Sequence, residues 1–251
     1  MAMQEELERQ GNFLFRYRSY FPLLFLVIGL GYYIFRELNS VGGEETIWSN
    51  IYEIVCVLVC FLGLGIRIFA VGYSADRTSG RNTRKQVADS INTTGIYSVV
   101  RHPLYIGNYF MWLGVCMFME SIYFVIIFTL AFWIYYERIM YAEEQFLRVK
   151  YGEEYLNWAD KTPLIFPKFS QYIRPAGEFK LLKVLRQEKD GLFAFILILF
   201  IFKTLKEYFR EGSIIVDETW WWVLFILGLL VYVSLKFLKK KRKLQEKRIS
   251  H

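Results

Sequence analysis

Six stretches of mostly apolar residues alternate with polar segments along the chain. A helix that crosses a bilayer needs about 20 such residues, and fewer where flanking side chains reach the interface. The pattern therefore predicts an all-α, polytopic membrane protein with about six transmembrane helices: Tyr17–Phe35, Ile51–Gly72, Leu104–Met119, Ser121–Tyr136, Gly191–Phe209 and Thr219–Leu238. Because only Glu120 separates the third and fourth spans, these two are expected to form a tight helical hairpin.

Charged residues interrupt two of these spans. The second span contains Glu53 and Arg67, and the fifth ends with Lys203, Lys206 and Glu207. Glu53 and Arg67 lie 14 positions apart. That separation is about 21 Å along a helix, too far for the two side chains to pair with each other. We therefore interpret them as side chains that reach opposite membrane interfaces.

The distribution of Lys and Arg predicts the side of the membrane on which each polar segment lies. The segments 73–103, 137–190 and 236–251 hold five, ten and eight basic residues, whereas 36–49 and 210–218 hold one each and are mainly acidic. Basic segments resist translocation, so we expect them, together with both termini, on the cytoplasmic side. This topology is that of a multi-pass integral protein of a membrane such as the bacterial inner membrane.

Composition supports the membrane assignment. Hydrophobic residues make up 55% of the 251 residues and aromatic residues 19%, which excludes a disordered chain or a polar nucleic-acid module. The net charge of +7 includes the tail Lys239–Lys243, which is expected to contact anionic membrane lipids. The polar, acidic N-terminus predicts no cleavable signal peptide. The cysteines form no CxxC pattern and there are two histidines, so no metal site is predicted.

Three regions follow from this division. Residues 1–72 form an N-terminal two-helix membrane region, and 181–251 form a C-terminal two-helix region with a basic tail. Between them, 73–180 combines a cytoplasmic loop, the helical hairpin and a second cytoplasmic segment. This central region carries the polar residues whose spacing indicates chemistry, whereas the oligomeric state is left open by the sequence.

The first polar segment ends at the start of the third span. Gly95 follows Asn92-Thr93-Thr94 and indicates a turn. Pro103 suits the first turn of a helix, which places His102 at a helix N-terminus beside Arg101. Taken alone, such a pair is an anion site or an interfacial anchor.

The second polar segment continues the fourth span out of the bilayer. Helical spacing puts Glu137, Tyr141 and Glu144 roughly along one face, with Glu143 adjacent, and Gly152 is expected to end the helix. An exposed Glu pair is in itself typical of a solvated face. Here, however, both polar clusters lie at the same end of one hairpin, so cationic, acidic and aromatic side chains should converge there.

The residues at this point resemble a known family. The stretches 94–97 and 100–107 read TGIY and VRHPLYIG, which is similar to the G-x-Y…R-H-P-x-Y-x-G signature of isoprenylcysteine carboxyl methyltransferases and related membrane phospholipid methyltransferases. Downstream, EExxL at 143–147 and YGEEY at 151–155, followed by Pro163 and Pro167, resemble the second block of that family. The resemblance covers about residues 80–170.

The resemblance implies a cytoplasmic site for the cofactor S-adenosyl-L-methionine without a soluble Rossmann fold. A carboxylate can accept hydrogen bonds from ribose or ammonium groups, and aromatic faces suit adenine and a sulfonium. The cofactor-binding residues implied by the resemblance are Asp89, Ser90, Ile91, Asn92, Tyr97, His102, Leu104, Tyr105, Glu143 and Glu144.

The predicted reaction is methyl transfer to an anionic oxygen, phosphate or carboxylate, of a membrane lipid or a lipidated substrate. Such an acceptor needs a cation to position it, so Arg101 and Arg138 are the predicted catalytic residues, and together with Lys161 they are expected to bind substrate. The prenylcysteine enzymes carry Arg where this chain has Ile139, and Arg near the final Pro where it has Lys161. These departures count against a prenylcysteine substrate. The basic stretch Asp76–Lys85 and the two additional spans after residue 190 look more like bacterial members of this superfamily that modify lipids, including lipid A 1-phosphate methyltransferases.

Three alternatives remain open. The first is N-methylation of a phospholipid amine, which requires a proton acceptor and fewer cations near the acceptor. The second is carboxyl methylation of a prenylcysteine. The third is a non-enzymatic membrane transporter of the same fold, which would bind no cofactor and would have paired charges within its spans.

Overall fold

The computed structural model describes residues 2–39, 47–75, 78, 86, 88–212 and 214–249, with side chains up to Leu238 except that of Glu211. Apart from Thr78, the basic stretch Asp76–Lys85 lies outside the described residues, and so do the side chains of Lys239–Lys243. These described ranges contain eight α-helices: α1 (Met3–Tyr17), α2 (Tyr20–Asn39), α3 (Ile47–Tyr73), α4 (Pro103–Met117), α5 (Ile122–Tyr151), α6 (Glu153–Ala159), α7 (Leu181–Glu211) and α8 (Thr219–Ile249).

Six of these helices run alternately in opposite directions between two ends of one bundle. We call the end at Glu120 the hairpin end, where the C-terminus of α2 lies close, since Arg36 is 3.2 Å from Glu120. The opposite end, where Pro103 begins α4, is called the cavity end. Helices α2 to α5, α7 and α8 connect the two ends, while α1 packs along the part of α5 at the cavity end. Residues from all three regions of the chain contribute to one hydrophobic core.

Among the residues that the structure describes, four helices are long and apolar enough to cross a membrane: α2, α3, α5 and the part Thr219–Leu238 of α8. A multi-pass membrane protein is thereby confirmed. The spans predicted in α4 and α7 are not among these four. Helix α4 has 15 residues, and α7 carries several charged side chains among its apolar ones.

The predicted hairpin is confirmed, and local sequence explains its ends. Pro103 begins α4 with His102 at the N-cap, as expected. The turn places Glu120 at a φ of 53°, and the hydroxyl of Ser121 accepts a hydrogen bond from the backbone N–H of Phe124. At the far end of α5, Gly152 adopts a φ of 53° and ends the helix, as predicted.

Helices α3 and α4 approach each other closely because glycines line their contact. A Cβ atom added at Gly63 would collide with the carbonyl oxygen of Gly107, and one added at Gly114 would collide with Cys60. Small residues thus bring the two backbones together, as in many membrane helix pairs. This contact fixes the start of α4 relative to the end of α3.

A buried charge cluster lies at the hairpin end and corrects the interpretation of Glu53. Its carboxylate is 1% exposed and accepts hydrogen bonds from Lys206 at 2.7 Å and from the indole of Trp221 at 3.1 Å. Lys203 lies 2.8 Å from Glu218 of the segment before α8. Glu53 is therefore paired inside the bundle and does not extend to the protein surface, because α7 supplies the cations that the apolar spans lack.

A strap of chain between α6 and α7 crosses the loop before α4. The carbonyl of Pro163 accepts a hydrogen bond from the N–H of Arg101 at 2.9 Å, and Lys168 donates to Val99 at 3.0 Å. Gly95 and Ile173 form an isolated β-bridge. The strap thus holds the residues that lead into α4.

The pairing of Glu53 with Lys206 predicts a non-additive effect on stability. Removing one partner of a buried ion pair typically costs 3 kcal/mol or more, whereas removing both costs much less. Lys203 also lies 3.5 Å from Glu53, so we expect Lys206→Met to lower the free energy of unfolding by up to about 3 kcal/mol and the double variant Glu53→Gln/Lys206→Met to recover most of it. Thermal unfolding of the purified protein in detergent measures both, with the exposed Lys236→Met as control. Equal losses in the single and double variants would contradict the pairing.

Candidate functional site

A cavity of about 450 Å³ lies at the cavity end, between the start of α4, the C-terminal half of α5 and the N-terminal helices. This volume is within the range of small-molecule binding sites. Its walls include most of the residues predicted to bind the cofactor: Ser90, Ile91, Asn92, Tyr97, His102, Leu104, Tyr105 and Glu143. The convergence expected from the hairpin is therefore present.

Glu144 connects the two helices of the hairpin. One carboxylate oxygen accepts a hydrogen bond from Nη1 of Arg101 at 3.0 Å, and the other lies 3.0 Å from Nε2 of His102. Arg101 and His102 precede α4, whereas Glu144 lies on α5, about 40 residues later in the chain. Glu144 is absent from the cavity wall, so its contacts orient the residues that form it.

The neighbouring Glu143 lies in the wall of the cavity. The hydroxyl of Tyr105 donates to its Oε1 at 2.7 Å, and Nδ1 of His102 is 3.8 Å from its Oε2. Its carboxylate thus keeps further acceptor capacity toward the cavity. Two adjacent glutamates therefore differ in function, since one stabilises the site and the other faces the space that a ligand would fill.

Aromatic rings form much of the remaining wall. The ring centroids of Tyr105 and Tyr136 are 4.9 Å apart, and those of His102 and Tyr105 are 5.8 Å apart. Burial, followed by the nearby Glu143 carboxylate, raises the pKa of Tyr97 above its usual range. Tyr97 therefore keeps its hydroxyl proton near neutral pH and contributes a neutral ring and an O–H group.

The loop before α4 is held in place from α5. The hydroxyl of Tyr151 donates to the carbonyl of Ala88 at 2.7 Å, and Lys150 contacts the same carbonyl. Asn92 accepts a hydrogen bond from the N–H of Ala75 at 2.9 Å. These contacts bring Ser90, Ile91 and Asn92 to the cavity, whereas the side chain of Asp89 is exposed and outside its wall.

The predicted substrate cations are placed differently from one another. Arg101 lines the cavity. Arg138 does not: its guanidinium donates to Gln10 of α1 at 3.0 Å and to the carbonyl of Ile134 at 2.9 Å. Lys161 is exposed and also lies outside the wall. The structure therefore brings one of the three cations together with the predicted cofactor residues.

Further residues that sequence reasoning did not assign to the site also line the cavity. Arg18 joins it from the junction of α1 and α2, and Arg67 from α3. Asn108 and Trp112 lie on α4, and Trp158 on α6. Asn108 was detectable as a polar residue inside an apolar span. Arg18 and Trp158 carried no such signal, because only the packing of α1 and α6 against the hairpin brings them close.

The wall contains a buried donor whose hydrogen-bonding capacity is unused. The indole N–H of Trp158 is inaccessible to solvent and has no hydrogen-bond partner among the described residues. Buried donors are nearly always paired in proteins, so this group is a candidate donor to a bound ligand or water. Within the described part of the chain, no group of three His, Cys, Asp or Glu side chains could hold a metal ion.

Comparison with known proteins relates this site to a family. Residues 51–154 match the family described as phospholipid methyltransferase. The match runs from α3 through the loop and the hairpin to the start of α6, and thus contains Tyr97, His102 and both glutamates of the site. No solved structure matches the chain.

The chain is similar to curated proteins with two kinds of name. It is 35% identical over 121 residues to the cobalt-zinc-cadmium resistance protein CzcN of Cupriavidus metallidurans, which covers 47% of this chain and 53% of that protein. It is 34% identical over 111 residues to the nickel-cobalt-cadmium resistance protein NccN of Alcaligenes xylosoxydans xylosoxydans, covering 43% and 49%. It is 28% identical over 120 residues to the protein-S-isoprenylcysteine O-methyltransferase of Schizosaccharomyces pombe, covering 47% and 50%. The chain thus spans about half the length of the curated relatives it matches.

The different contacts of the two glutamates predict different effects on the ligand-free protein. Glu144→Ala removes the acceptor shared by Arg101 and His102, so we expect the free energy of unfolding to fall by about 2 kcal/mol. Glu143→Ala removes one hydrogen bond and also a carboxylate held against the cavity, so we expect a change below about 1 kcal/mol.

Thermal unfolding in detergent without added ligand measures both variants. Glu144→Gln serves as the matched control, because its amide oxygen keeps one acceptor and should retain part of the stability. An equal loss in Glu143→Ala and Glu144→Ala would show that the two residues do not have separate functions.

Proposed function

We propose that the chain is an integral membrane methyltransferase that transfers a methyl group from S-adenosylmethionine to an anionic oxygen of a membrane lipid. The observation that carries this proposal is one cavity lined by Glu143, His102, Tyr97 and Trp158, whose buried indole N–H has no hydrogen-bond partner among the described residues. The family match over residues 51–154 and the likeness to an isoprenylcysteine O-methyltransferase support it.

The cavity residues fit the chemical groups of S-adenosylmethionine. The Glu143 carboxylate would accept hydrogen bonds from ribose hydroxyls or from the ammonium group, and Trp158 would donate to a carboxylate or ring-nitrogen acceptor. Because Nε2 of His102 is held by Glu144, its Nδ1 is the ring nitrogen left for a contact to the ligand. The rings of Tyr97, Tyr105 and Tyr136 provide faces for the adenine and for a positively charged sulfur. Asp89 and Glu144 belong to this proposal as flanking residues: Glu144 orients His102, and Asp89 precedes the loop residues that line the cavity.

When bound, S-adenosylmethionine supplies a methyl group on a positively charged sulfur. The side chains of the cavity orient the acceptor oxygen in line with that methyl group and exclude water from both. The anionic oxygen of the lipid takes the methyl group, and the electron pair of the broken bond stays on sulfur. No proton moves in this step, so the site needs cations to position the acceptor and no general base.

Arg101 is the predicted cation that the cavity wall includes, so we propose it as the residue nearest to the reacting groups. Arg138 and Lys161, outside the wall, would contribute by drawing anionic headgroups to this face of the protein. In this proposal the cavity end lies on the cytoplasmic side, and α4 and α7 complete six membrane crossings. Residues 73–180 form the methyltransferase core, with the two-helix regions on either side.

The names of the metal resistance relatives agree with this direction of chemistry. Methylation of a lipid phosphate removes one negative charge from the membrane surface. A less negative surface attracts fewer divalent cations, because their local concentration follows the surface potential. We propose this charge change as the link between a lipid methyltransferase and the names carried by CzcN and NccN.

A second candidate is methylation of a phospholipid amine, which the description of the matching family favours. That reaction releases a proton and needs an acceptor for it. Three arginines line the cavity and can donate to an anion, although Glu188 pairs with Arg67 and Glu144 with Arg101. We therefore prefer an anionic acceptor and treat N-methylation as an outcome of the test.

Detergent-purified protein incubated with methyl-labelled S-adenosylmethionine and a total lipid extract tests the proposal. We expect label in the organic phase. Label lost in mild base indicates a carboxyl ester, whereas label stable to base is either an N-methyl group or a phosphate methyl ester, and the mass of the labelled lipid distinguishes these two. No label together with no binding of S-adenosylhomocysteine would contradict the proposal.

Calorimetry with S-adenosylhomocysteine tests the cavity residues separately. Alanine at Glu143 or His102 should weaken binding by at least about tenfold, because each removes a polar contact to the ligand worth about 1.4 kcal/mol or more. Arg148→Ala, an exposed change on the same helix, is the control and should leave binding unchanged. Intact binding in both cavity variants would place the cofactor elsewhere.

A further inference from the structure

The wall of the cavity includes a polar group to which α3, α4 and α7 each contribute one residue. Arg67 of α3 donates from Nε and Nη2 to the carboxylate of Glu188 at 2.7 and 2.8 Å, and from Nη1 to Oδ1 of Asn108 at 2.6 Å. Arg67 and Asn108 line the cavity, and the Glu188 side chain is 5% exposed behind them. Arg67 is therefore paired with two neighbouring helices in the cavity wall, and it is not the lone interfacial side chain expected from the sequence.

These contacts leave donors directed away from Glu188. A guanidinium has five N–H groups, and three of those of Arg67 are used, so one N–H on each Nη has no partner among the described residues. Asn108 uses its oxygen to accept from Arg67, so its two amide N–H groups are also without a partner in the described structure. Arg67 and Asn108 thus offer four donors at one place in the cavity wall.

Such a set of donors suits an oxygen-rich anion. Two N–H groups of one guanidinium can bind a phosphate or carboxylate bidentately, and the amide adds a third direction of donation. The paired carboxylate of Glu188 fixes the guanidinium in one orientation, so little rotational freedom is lost when the anion binds. Trp112, one turn after Asn108 on α4, adds apolar surface for the chain next to the headgroup.

We propose that Arg67 and Asn108, held by Glu188, form the site that binds the anionic headgroup of the acceptor lipid. This inference rests on the proposed function, since it names the residues that position its substrate. It also gives α7 a part in that substrate site, because Glu188 lies on α7. This helix follows the segment 51–154 that the family matches.

The inference predicts opposite effects for the two partners of one ion pair. In Glu188→Gln, the charge of Arg67 is no longer compensated, so binding of an anion should be retained or tightened. In Arg67→Gln/Glu188→Gln, both charges are absent, and binding should weaken by about ten- to a hundredfold, as expected for loss of hydrogen bonds to a charged group. A purely structural ion pair would give no such opposition.

Calorimetric titration of the full-length protein in a neutral maltoside detergent measures this without any methyl transfer. The probes are dodecyl phosphate and inorganic phosphate, with Arg148→Gln as the control variant. We expect the wild-type protein and Arg148→Gln to bind dodecyl phosphate, and the double variant to lose that binding while it still binds S-adenosylhomocysteine. Absence of binding in the wild type, or unchanged binding in the double variant, would overturn the inference. Equal affinity for inorganic phosphate would overturn the assignment to a lipid headgroup.

Asn108→Asp keeps the test decisive if the double variant does not fold. The new carboxylate still accepts from Arg67 but replaces two donors by a negative charge, so dodecyl phosphate binding should be lost and S-adenosylhomocysteine binding kept. Unchanged dodecyl phosphate binding in Asn108→Asp would contradict the site. If the wild-type protein binds dodecyl phosphate through Arg67 but methylates no lipid, the proposed function fails while this binding site stands.

Discussion

The carboxylate of Glu144 joins the start of α4 to the extension of α5, and the arrangement of the cavity depends on that contact. Because α4 and α5 form a tight hairpin, residues that are about 40 positions apart in the chain meet at the cavity end. One carboxylate then fixes both Arg101 and His102, and the strap from α6 to α7 holds the backbone of Arg101 from the other side. The adjacent Glu143 is thereby left to face the cavity.

A second constraint is that charges inside an apolar bundle must be paired. Helix α7 meets this requirement at both ends: Glu188 pairs with Arg67 beside the cavity, and Lys206 pairs with Glu53 at the hairpin end. A buried pair is costly to break from one side, so these contacts fix α7 against α3. The paired charges expected of a transporter are thus present. However, Arg67 of one pair lines the same cavity as the residues expected to bind the cofactor.

Much of this site could be predicted from the sequence because its signals are local. The RHP stretch defines the start of α4, Gly152 defines the end of α5, and the short turn at Glu120 requires the two to be neighbours. Contacts between distant helices were not predictable in this way. Glu53 and Arg67 resembled interfacial residues because their partners lie on α7, more than 100 positions away. Arg138 was expected near the substrate from its position beside the glutamates, but the helical step turns it toward α1.

The most direct test is a cryo-electron microscopy structure of the protein with S-adenosylhomocysteine, using a bound antibody fragment to aid alignment. We expect ligand density in the cavity, in contact with Glu143 and with the indole N–H of Trp158. We also expect Arg67 and Asn108, on the adjoining wall, to have no contact with this ligand. Ligand density at any other place on the protein, or an empty cavity at saturating ligand, would contradict the assignment of the cofactor to this cavity.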